Sequence, residues 1–203
     1  DRRTNPLFTR LAARGAGFSA DDRRALYVAI ADILRGVQAR YRALARAGRI
    51  ELSSTPRTHP IAPLLLDFGA AREALPTSSL PRADAYPGGA ARVRWQLRGA
   101  IDDHAARFGA APAGLWPSEG AVSAPFVAQA QAAGLGWIAS SESVLANSLG
   151  ETVWQTPRAS WLYAPWRLAS APGAAMMFRD ERLSDLIGFE YAKWHGRDAA
   201  GHL

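Results

Sequence analysis

Apolar residues near the start of the chain follow the spacing of an amphipathic helix. Between Ser19 and Gly48, apolar side chains recur every three or four residues, which is the period of one helix face. Ser19 stands just ahead of Asp21 and Asp22, as an N-cap stands ahead of an acidic first turn, and Gly48 ends the pattern. We therefore predict a long helix between Ser19 and Gly48.

Short apolar segments alternate with helical patterns through the remaining sequence. Strands are predicted at 49–53, 114–116, 136–139, 161–166 and 174–178, and helices at 90–108, 123–133 and about 183–194. Prolines and glycines mark 55–60 and 70–90 as loops, the second with at most a short helical turn. This alternation is typical of a parallel sheet or a β/α barrel. Because 203 residues hold about five β/α units and a complete barrel takes roughly 250 residues, the fold class that we expect is α/β, an incomplete barrel of parallel strands in a single domain.

The composition excludes several classes of function. The chain is 48% hydrophobic, enough to bury a core, and it has no cysteine, so a disulfide scaffold, a thiolate nucleophile and a Cys-ligated metal are excluded. No apolar run approaches the roughly 18 residues of a membrane span, and we expect no membrane partner. Any chemistry must then come from carboxylates, histidines, hydroxyls or a cofactor.

The net charge of +6 does not point to nucleic acid. Lys193 is the only lysine among the 24 basic residues, and the arginines are scattered over almost every segment. A nucleic-acid binder instead concentrates basic and aromatic side chains on one face. Glycine-rich phosphate-binding motifs are also absent from the sequence. We therefore expect neither a nucleic-acid partner nor a nucleotide cofactor.

Three predicted strands are each followed by a carboxylate in a polar loop. The residues are Glu119 in Trp-Pro-Ser-Glu-Gly, Glu142 in Ser-Ser-Glu-Ser and Asp180 in Phe-Arg-Asp-Glu-Arg. A pair of carboxylates at the mouth of a barrel is the minimum equipment for glycoside hydrolysis, in which one stays ionised and the other holds a proton. Acidic residues at strand ends also cap the following helix, so a structural role stays open for each of them.

Aromatic, histidine and arginine side chains lie near the ends of the predicted strands. Trp116 and Trp137 offer flat faces for sugar rings, and both are equally suited to packing in the core. His59, between Thr58 and Pro60, either hydrogen-bonds a sugar hydroxyl or anchors its loop. Arg179 adjoins Asp180, where its charge would keep that acid ionised.

Three ordered blocks of sequence extend this picture. They are Glu51-Leu-Ser-Ser-Thr-Pro-Arg-Thr-His59-Pro60-Ile-Ala-Pro-Leu-Leu, Gly114-Leu-Trp-Pro-Ser-Glu119-Gly-Ala-Val-Ser123 and Phe178-Arg-Asp180-Glu-Arg-Leu-Ser-Asp185-Leu-Ile-Gly-Phe189. These blocks resemble three blocks of glycoside hydrolase family 57, on its amylopullulanase and α-amylase side. The resemblance spans nearly the whole chain.

The resemblance implies a seven-stranded incomplete (β/α) barrel and a retaining mechanism on α-1,4-linked glucans or maltooligosaccharides, with α-1,6 linkages left open and with no metal or cofactor. In that family the glutamate of the second block is the nucleophile, which falls on Glu119. The acid/base is an aspartate of the third block, and we assign it to Asp180, at the predicted strand end, ahead of Asp185 in the following helix. The expected substrate-binding residues are His59, Trp116, Trp137, Glu142 and Asp185.

The sequence departs from the family in three places. The family's first block, a His-x-Pro motif on its first strand, has no counterpart, and its C-terminal helical region is missing. The usual Asp-Glu pair after Trp137-Ile-Ala is Ser141-Glu142. We therefore expect residues 1–203 to be a partial catalytic domain, a fragment of a longer cytoplasmic enzyme.

Two other functions compete with this interpretation. A metal-dependent polysaccharide deacetylase also uses an incomplete β/α barrel, but it needs clustered His and Asp ligands. The four histidines, at 59, 104, 195 and 202, include no pair spaced three to five residues apart, which disfavours a deacetylase. A carbohydrate-binding remnant without catalysis is the other alternative.

Overall fold

The computed structural model describes residues 4–83 and 85–203. Within these ranges the backbone forms two units. The first holds residues up to Glu51 together with Arg107–Gly109, and the second holds Leu52–Ala106 and Ala110–Leu203. That residues 1–203 make one partial catalytic domain stays a prediction. No helix in the described ranges has the length and apolar character needed to cross a membrane.

The first unit is built on two helices, α1 (Pro6–Arg14) and α2 (Ala20–Arg46). Ser19 accepts a hydrogen bond from the Asp22 amide, while the Asp22 carboxylate accepts one from the Ser19 amide. This reciprocal capping box satisfies amides that the start of a helix leaves unpaired. The long helix predicted after Ser19 is therefore confirmed.

Asp22 also joins α1 to α2 within the first unit. Its carboxylate is nearly buried and accepts hydrogen bonds from Arg14 and, at 2.8 Å, from Arg10. The hydrogen bond from the Ser19 backbone amide, followed by the one from Arg10, lowers the pKa of Asp22 from 3.8 to about 2. This carboxylate is therefore ionised throughout the physiological pH range.

Seven further helices follow along the described part of the chain. They are α3 (Ala62–Leu66), α4 (Ala71–Ala74), α5 (Gly89–Phe108), α6 (Ala124–Ala132), α7 (Glu142–Leu149), α8 (Glu181–Asp185) and α9 (Gly196–His202). The helices predicted at 90–108 and 123–133 are confirmed, and the described part of 70–90 holds the one short helix α4, as expected.

The helix predicted at 183–194 is wrong in its extent. α8 starts earlier, at Glu181, and gives way to a π-helical turn at Leu186–Glu190 and a 3-10 turn at Tyr191–Lys193. Gly188 has low helix propensity, and no residue of the π-helical turn is buried. Because tertiary packing supplies most of the stability of a short helix, this segment does not hold a regular α-helix.

Four strands form one mixed sheet: β1 (Gly114–Leu115), β2 (Trp137–Ser141), β3 (Trp166–Leu168) and β4 (Ala171–Arg179). Their order is β1-β2-β4-β3, with β1, β2 and β4 parallel and β3 antiparallel to β4. The connection from β3 to β4 is too short for a crossover, so the pair forms a hairpin. The α/β class with parallel strands is confirmed, and the described residues form four strands, not the seven of the expected barrel.

Two predicted strands are wrong. Residues 49–53 form no strand, and pairing there is limited to a single parallel bridge between Ser54 and Leu115. The physical reason is that β1 is only two residues long and offers little backbone to pair with. Residues 161–163 form a turn because Trp161 and Leu162 are both buried in one apolar cluster, whereas a strand would send them to opposite faces.

The main core lies between the sheet and the helices α5 and α6. Leu97 from α5 and Phe126 from α6 are fully buried. They belong to one apolar cluster with the strand residues Leu115, Ile138 and Met176. Burial of a large apolar side chain contributes about 1.5–3 kcal/mol, so this cluster holds the strands, and therefore their ends, in place.

Candidate active site

The carboxyl ends of the parallel strands come together along one edge of the sheet. β1 pairs with β2 through Leu115 and Ile138, and β2 pairs with β4 as far as Ser141 and Arg179. Parallel strands present their carboxyl ends at the same edge, where α/β proteins bind ligands. The bridge at Ser54 brings the loop that follows it to this edge as well.

Glu119 occupies a tight turn just beyond β1. The 3-10 turn Ser118–Gly120 contains Glu119 with φ 55°, in the left-handed region that residues other than glycine rarely adopt. The buried hydroxyl of Ser140 in β2 donates to the Gly120 carbonyl at 2.7 Å and ties the turn to the sheet. The Glu119 side chain is 74% exposed. The turn therefore presents this carboxylate to solvent.

His59 lies beside Glu119 in a second strained turn. Its Nδ1 is 3.9 Å from Oε1 of Glu119, and its φ is 57°. Within the described ranges, these two are the residues other than glycine that have a positive φ. Strained backbone clusters at functional sites, where the surrounding structure holds it in place. The pair therefore marks this edge as the candidate active site.

Hydrogen bonds on two sides hold the His59 loop. The buried Gln96 side chain, from α5, accepts from the Thr58 amide at 2.8 Å and donates to Thr58 Oγ1 at 2.6 Å. The Ser54 amide donates to the Gly114 carbonyl at 3.1 Å, and the Trp116 amide donates to the Ser54 carbonyl at 2.7 Å. The loop is thus fixed to α5 and to the β1 segment, which sets the position of His59 next to Glu119.

An ion-pair network around two buried carboxylates occupies the ends of β2 and β4. Arg158 donates from Nε and Nη2 to the two carboxylate oxygens of Glu142, at 2.6 and 2.5 Å. The same Nη2 is 2.9 Å from Oδ1 of Asp180, and Tyr163 donates its hydroxyl to Oδ2 of Asp180 at 2.5 Å. The Glu142 and Asp180 side chains are only 6% and 8% exposed. One guanidinium therefore serves two buried carboxylates that follow different strands.

Asp180 caps a helix and belongs to this network at the same time. Its Oδ1 accepts from the Leu183 amide at 2.8 Å, which caps α8. Burial alone would raise the pKa of Asp180, but the hydrogen bonds that it accepts, from Leu183 first, and the Arg158 charge leave that pKa below its usual value. The hydrogen bond to Asp180 also raises the pKa of Tyr163. The carboxylate is therefore ionised in the free protein.

The cation beside Asp180 is Arg158, not Arg179 as its position in the sequence suggests. Neighbouring residues at a strand end point to opposite sides, and the Arg179 charge acts on Glu181 instead. Sequence reasoning missed Arg158 because no spacing rule links its turn to Asp180. A signal was available, since Arg158 is the only basic residue between Arg107 and Arg167, a stretch that holds two of the candidate carboxylates.

The Glu142 carboxylate is buried behind the edge of the sheet. Both of its oxygens accept from Arg158, and Oε2 also accepts from the Glu181 amide at 3.3 Å. As the first residue of α7, Glu142 turns inward directly after β2. The structure places this carboxylate against Arg158, and its expected role in substrate binding stays a prediction.

The other expected binding residues differ in their placement. Trp116 is exposed just before the Glu119 turn. Trp137 is half-buried with its ring against Gly114, where a Cβ atom would come within 1.8 Å of the ring. Asp185 is exposed at the end of α8. The roles of these residues in substrate binding stay predictions.

Glu119 and Asp180 follow strands that both pair with β2. Adjacent strands are about 4.8 Å apart, so roughly 10 Å of sheet separates the ends of β1 and β4. The convergence of the two carboxyl groups stays a prediction. In the part of the chain that the structure describes, no three His, Asp or Glu side chains are grouped as a metal ion would require.

Comparison with known families gives this site a context. A sequence profile described as glycosyl hydrolase family 57 matches residues 25–202 of the chain, which is most of its length. The chain belongs to this family. The family assignment that the three sequence blocks suggested is therefore confirmed. Among curated proteins, none matches the chain.

Solved structures of family 57 enzymes share the fold. The α-amylase AmyC of Thermotoga maritima is 15% identical with a TM-score of 0.55, over 92% of this chain and 30% of that one. Branching enzymes of Pyrococcus horikoshii and Thermococcus kodakaraensis have identities of 16% and 17%, TM-scores of 0.50 and 0.51, and coverage of 85% and 84% of this chain. The chain spans 30% of the length of each of these three proteins.

Proposed function

We propose that this chain carries the catalytic edge of a retaining enzyme that acts on α-1,4-linked glucans through a covalent glycosyl-enzyme intermediate. The observation that carries the proposal is the exposed Glu119 carboxylate, held in a left-handed turn at a parallel-strand end with His59 3.9 Å away. Membership of glycosyl hydrolase family 57 supports it, as does the likeness to proteins named α-amylase and branching enzyme. The barrel is proposed to be the incomplete seven-stranded type.

In the first step, a carboxylate oxygen of Glu119 attacks the anomeric carbon of the glucan and forms an ester bond. The glycosidic bond breaks, and its oxygen leaves with a proton supplied by Asp180. In the second step, Asp180 removes a proton from water or from a sugar hydroxyl, which attacks the anomeric carbon and releases Glu119. Hydrolysis and glucan transfer differ only in which of these two acceptors attacks.

The remaining residues are proposed to bind or support. His59 is close enough to Glu119 to hydrogen-bond the same sugar ring, and the exposed face of Trp116 is suited to stacking on a sugar. Asp185 is exposed and available to a hydroxyl, whereas the half-buried Trp137 would contact sugar with the exposed part of its ring. We propose that Glu142 acts through Arg158.

The Glu119→Gln variant tests the nucleophile assignment. The amide keeps the shape of the acid but does not form the glycosyl ester, so kcat on soluble starch or maltooligosaccharides should fall by about 10³-fold or more while KM changes little. The matched control is Glu73→Gln, an exposed glutamate on α4, which should retain the activity of the unaltered chain. Wild-type turnover by Glu119→Gln would exclude Glu119 as the nucleophile.

A further inference from the structure

Arg158 connects parts of the second unit that are far apart in sequence. Its guanidinium meets Glu142 at the start of α7, after β2, and Asp180 at the start of α8, after β4. Both contacts are charge-assisted hydrogen bonds of 2.9 Å or less. The relative position of these two strand ends is therefore tied to one side chain.

The two carboxylates use Arg158 differently. Glu142 engages Nε and Nη2 together in the bidentate geometry that fixes a guanidinium plane. Asp180 takes only Nη2, and its remaining bonds come from Tyr163 and from the Leu183 amide. Glu142 thus orients the guanidinium, and Asp180 is the partner that can be released without turning it.

Packing limits where Arg158 can lie. It starts the 3-10 turn Arg158–Ser160, and the apolar cluster of α7 lies on both sides of it in sequence, with Val153 before the turn and Trp161 and Leu162 after it. All three of these residues are buried. A backbone fixed on both sides lowers the entropy that an arginine loses when it makes an ion pair.

Among the described residues, the charged and titratable groups near Asp180 are those of Arg158, Tyr163, Glu142 and Glu181. Arg158 and Tyr163 contact its carboxylate, and Glu142 acts on the same cluster through Arg158. Glu181, the next residue, turns its carboxylate to Ser143, whose hydroxyl donates to it at 2.8 Å. Two carboxylates therefore share one cation. The charge state of Asp180 depends on how strongly Arg158 interacts with each of them.

We infer that Arg158 is a positioning residue that fixes the Asp180 carboxylate at the end of β4 and keeps it ionised, with Glu142 holding the guanidinium in place. The acid/base role of Asp180 in this inference rests on the proposed function, whereas its contact with Arg158 does not. For Asp180 to act as an acid, it must take up a proton, which weakens its contact with Arg158 while the bidentate pair with Glu142 remains. When Asp180 has given up that proton, the same contact stabilises the carboxylate, which is the form that then acts as the base.

The direct test is the titration of Asp180 in the full chain, followed by carbon-13 NMR of labelled aspartate carboxyls and assigned with Asp180→Asn. Arg158→Met removes the cation, so the midpoint of Asp180 should rise by about one pH unit or more. Glu142→Gln removes the competing anion and leaves the cation to Asp180, so the midpoint should move to lower pH. Opposite movements of one carboxyl group are not expected from a general loss of stability.

Arg158→Lys keeps the result interpretable if Arg158→Met does not fold. Lysine retains the charge but not the bidentate fork, so the Asp180 midpoint in Arg158→Lys should lie close to that of the wild type and below that of Arg158→Met. An Asp180 midpoint that does not rise in Arg158→Met would overturn the inference. So would a rise in Glu142→Gln.

The pH profile of kcat/KM separates this inference from the proposed function. If Asp180 is the acid, the high-pH limb should move up in Arg158→Met and down in Glu142→Gln, in step with the NMR midpoints. Midpoints that move in a chain without α-glucan turnover would support the positioning role and contradict the proposed function. Turnover that depends on Glu119, with Asp180 midpoints that stay fixed in both variants, would support the proposed function and contradict the positioning role of Arg158.

Discussion

At the scale of single residues, the two candidate site residues Glu119 and His59 both have a strained backbone conformation. A residue other than glycine in the left-handed region costs roughly 1–2 kcal/mol, and both Glu119 and His59 adopt it. Glycine would relieve the strain at either position but would remove the side chain. Gly120, which follows Glu119, has φ 68°. The same turn therefore has a glycine at the left-handed position that needs no side chain.

Asp180→Asn should separate the two steps of the proposed reaction. On an activated aryl maltooligosaccharide, whose leaving group needs little protonation, the variant should form the glycosyl-enzyme and then release it slowly, because the general base is missing. Added azide should restore turnover, since this nucleophile needs no deprotonation. The measurements are a pre-steady-state burst of leaving group and steady-state rates with and without azide.

Asp185→Asn is the matched comparison for this experiment. Asp185 lies in the same sequence block but is exposed at the end of α8, so its variant should show neither the burst nor a response to azide. Rescue of Asp185→Asn by azide, with Asp180→Asn unaffected, would transfer the acid/base role to Asp185.

At the scale of elements, the sequence predicts well what depends on local patterns. The periodicity of α2 and α5, the Ser19 cap and the parallel β1, β2 and β4 are all confirmed. The errors arise where contacts between residues distant in sequence determine the local structure. Trp161 is an example, because its burial against α7 leaves a turn where a strand was predicted.

The same limit applies to the site. The exposed position of Glu119 after a strand could be predicted because that strand and its loop are local in sequence. Composition singles out Arg158, but its two ion pairs could not be predicted, because they require knowing that β2 and β4 are neighbours. Only the topology brings Glu142 and Asp180 to one guanidinium.

The hydroxyl of Ser140 is expected to matter for catalysis as an anchor of the Glu119 turn. Ser140→Ala leaves the Gly120 carbonyl without its 2.7 Å partner, which should lower the free energy of unfolding by about 1–3 kcal/mol. A displaced nucleophile should lower kcat by about tenfold or more with a smaller change in KM. Chemical denaturation and steady-state kinetics measure the two effects.

Ser148→Ala supplies the control for this anchor. Its hydroxyl also donates to a backbone carbonyl, that of Val144, but on the exposed side of α7. The variant should leave kcat unchanged. An equal loss of kcat in both variants would mean that the Ser140 bond has no special part in placing Glu119.

At the scale of the whole molecule, several carboxyl groups make the fold sensitive to acid. The pKa values of Asp22, Asp180 and Glu181 all lie below their usual range. Asp22 belongs to the first unit, and the other two belong to the second. For Asp180 and Glu181 burial opposes the shift, and the hydrogen bonds that they accept outweigh it. The folded chain therefore binds fewer protons than the unfolded chain below about pH 4.5, and it should lose stability as the pH falls.

Asp22→Asn should remove one identified part of that pH dependence. Because the pKa of Asp22 falls from 3.8 in the unfolded chain to about 2 in the folded one, its contribution is fully present above pH 3.8 and is lost as the pH falls towards 2. The wild type should therefore be more stable than Asp22→Asn at pH 6, and the difference should shrink between pH 4 and pH 2. Chemical denaturation followed by far-ultraviolet circular dichroism, to which the 27 residues of α2 contribute strongly, measures this difference. Asp21→Asn is the matched control, since the adjacent Asp21 is exposed and pairs with Arg24, and an exposed pair of this kind contributes little to stability. A wild-type advantage over Asp22→Asn that stays constant from pH 6 to pH 2 would show that the ionised carboxylate is not what stabilises the start of α2.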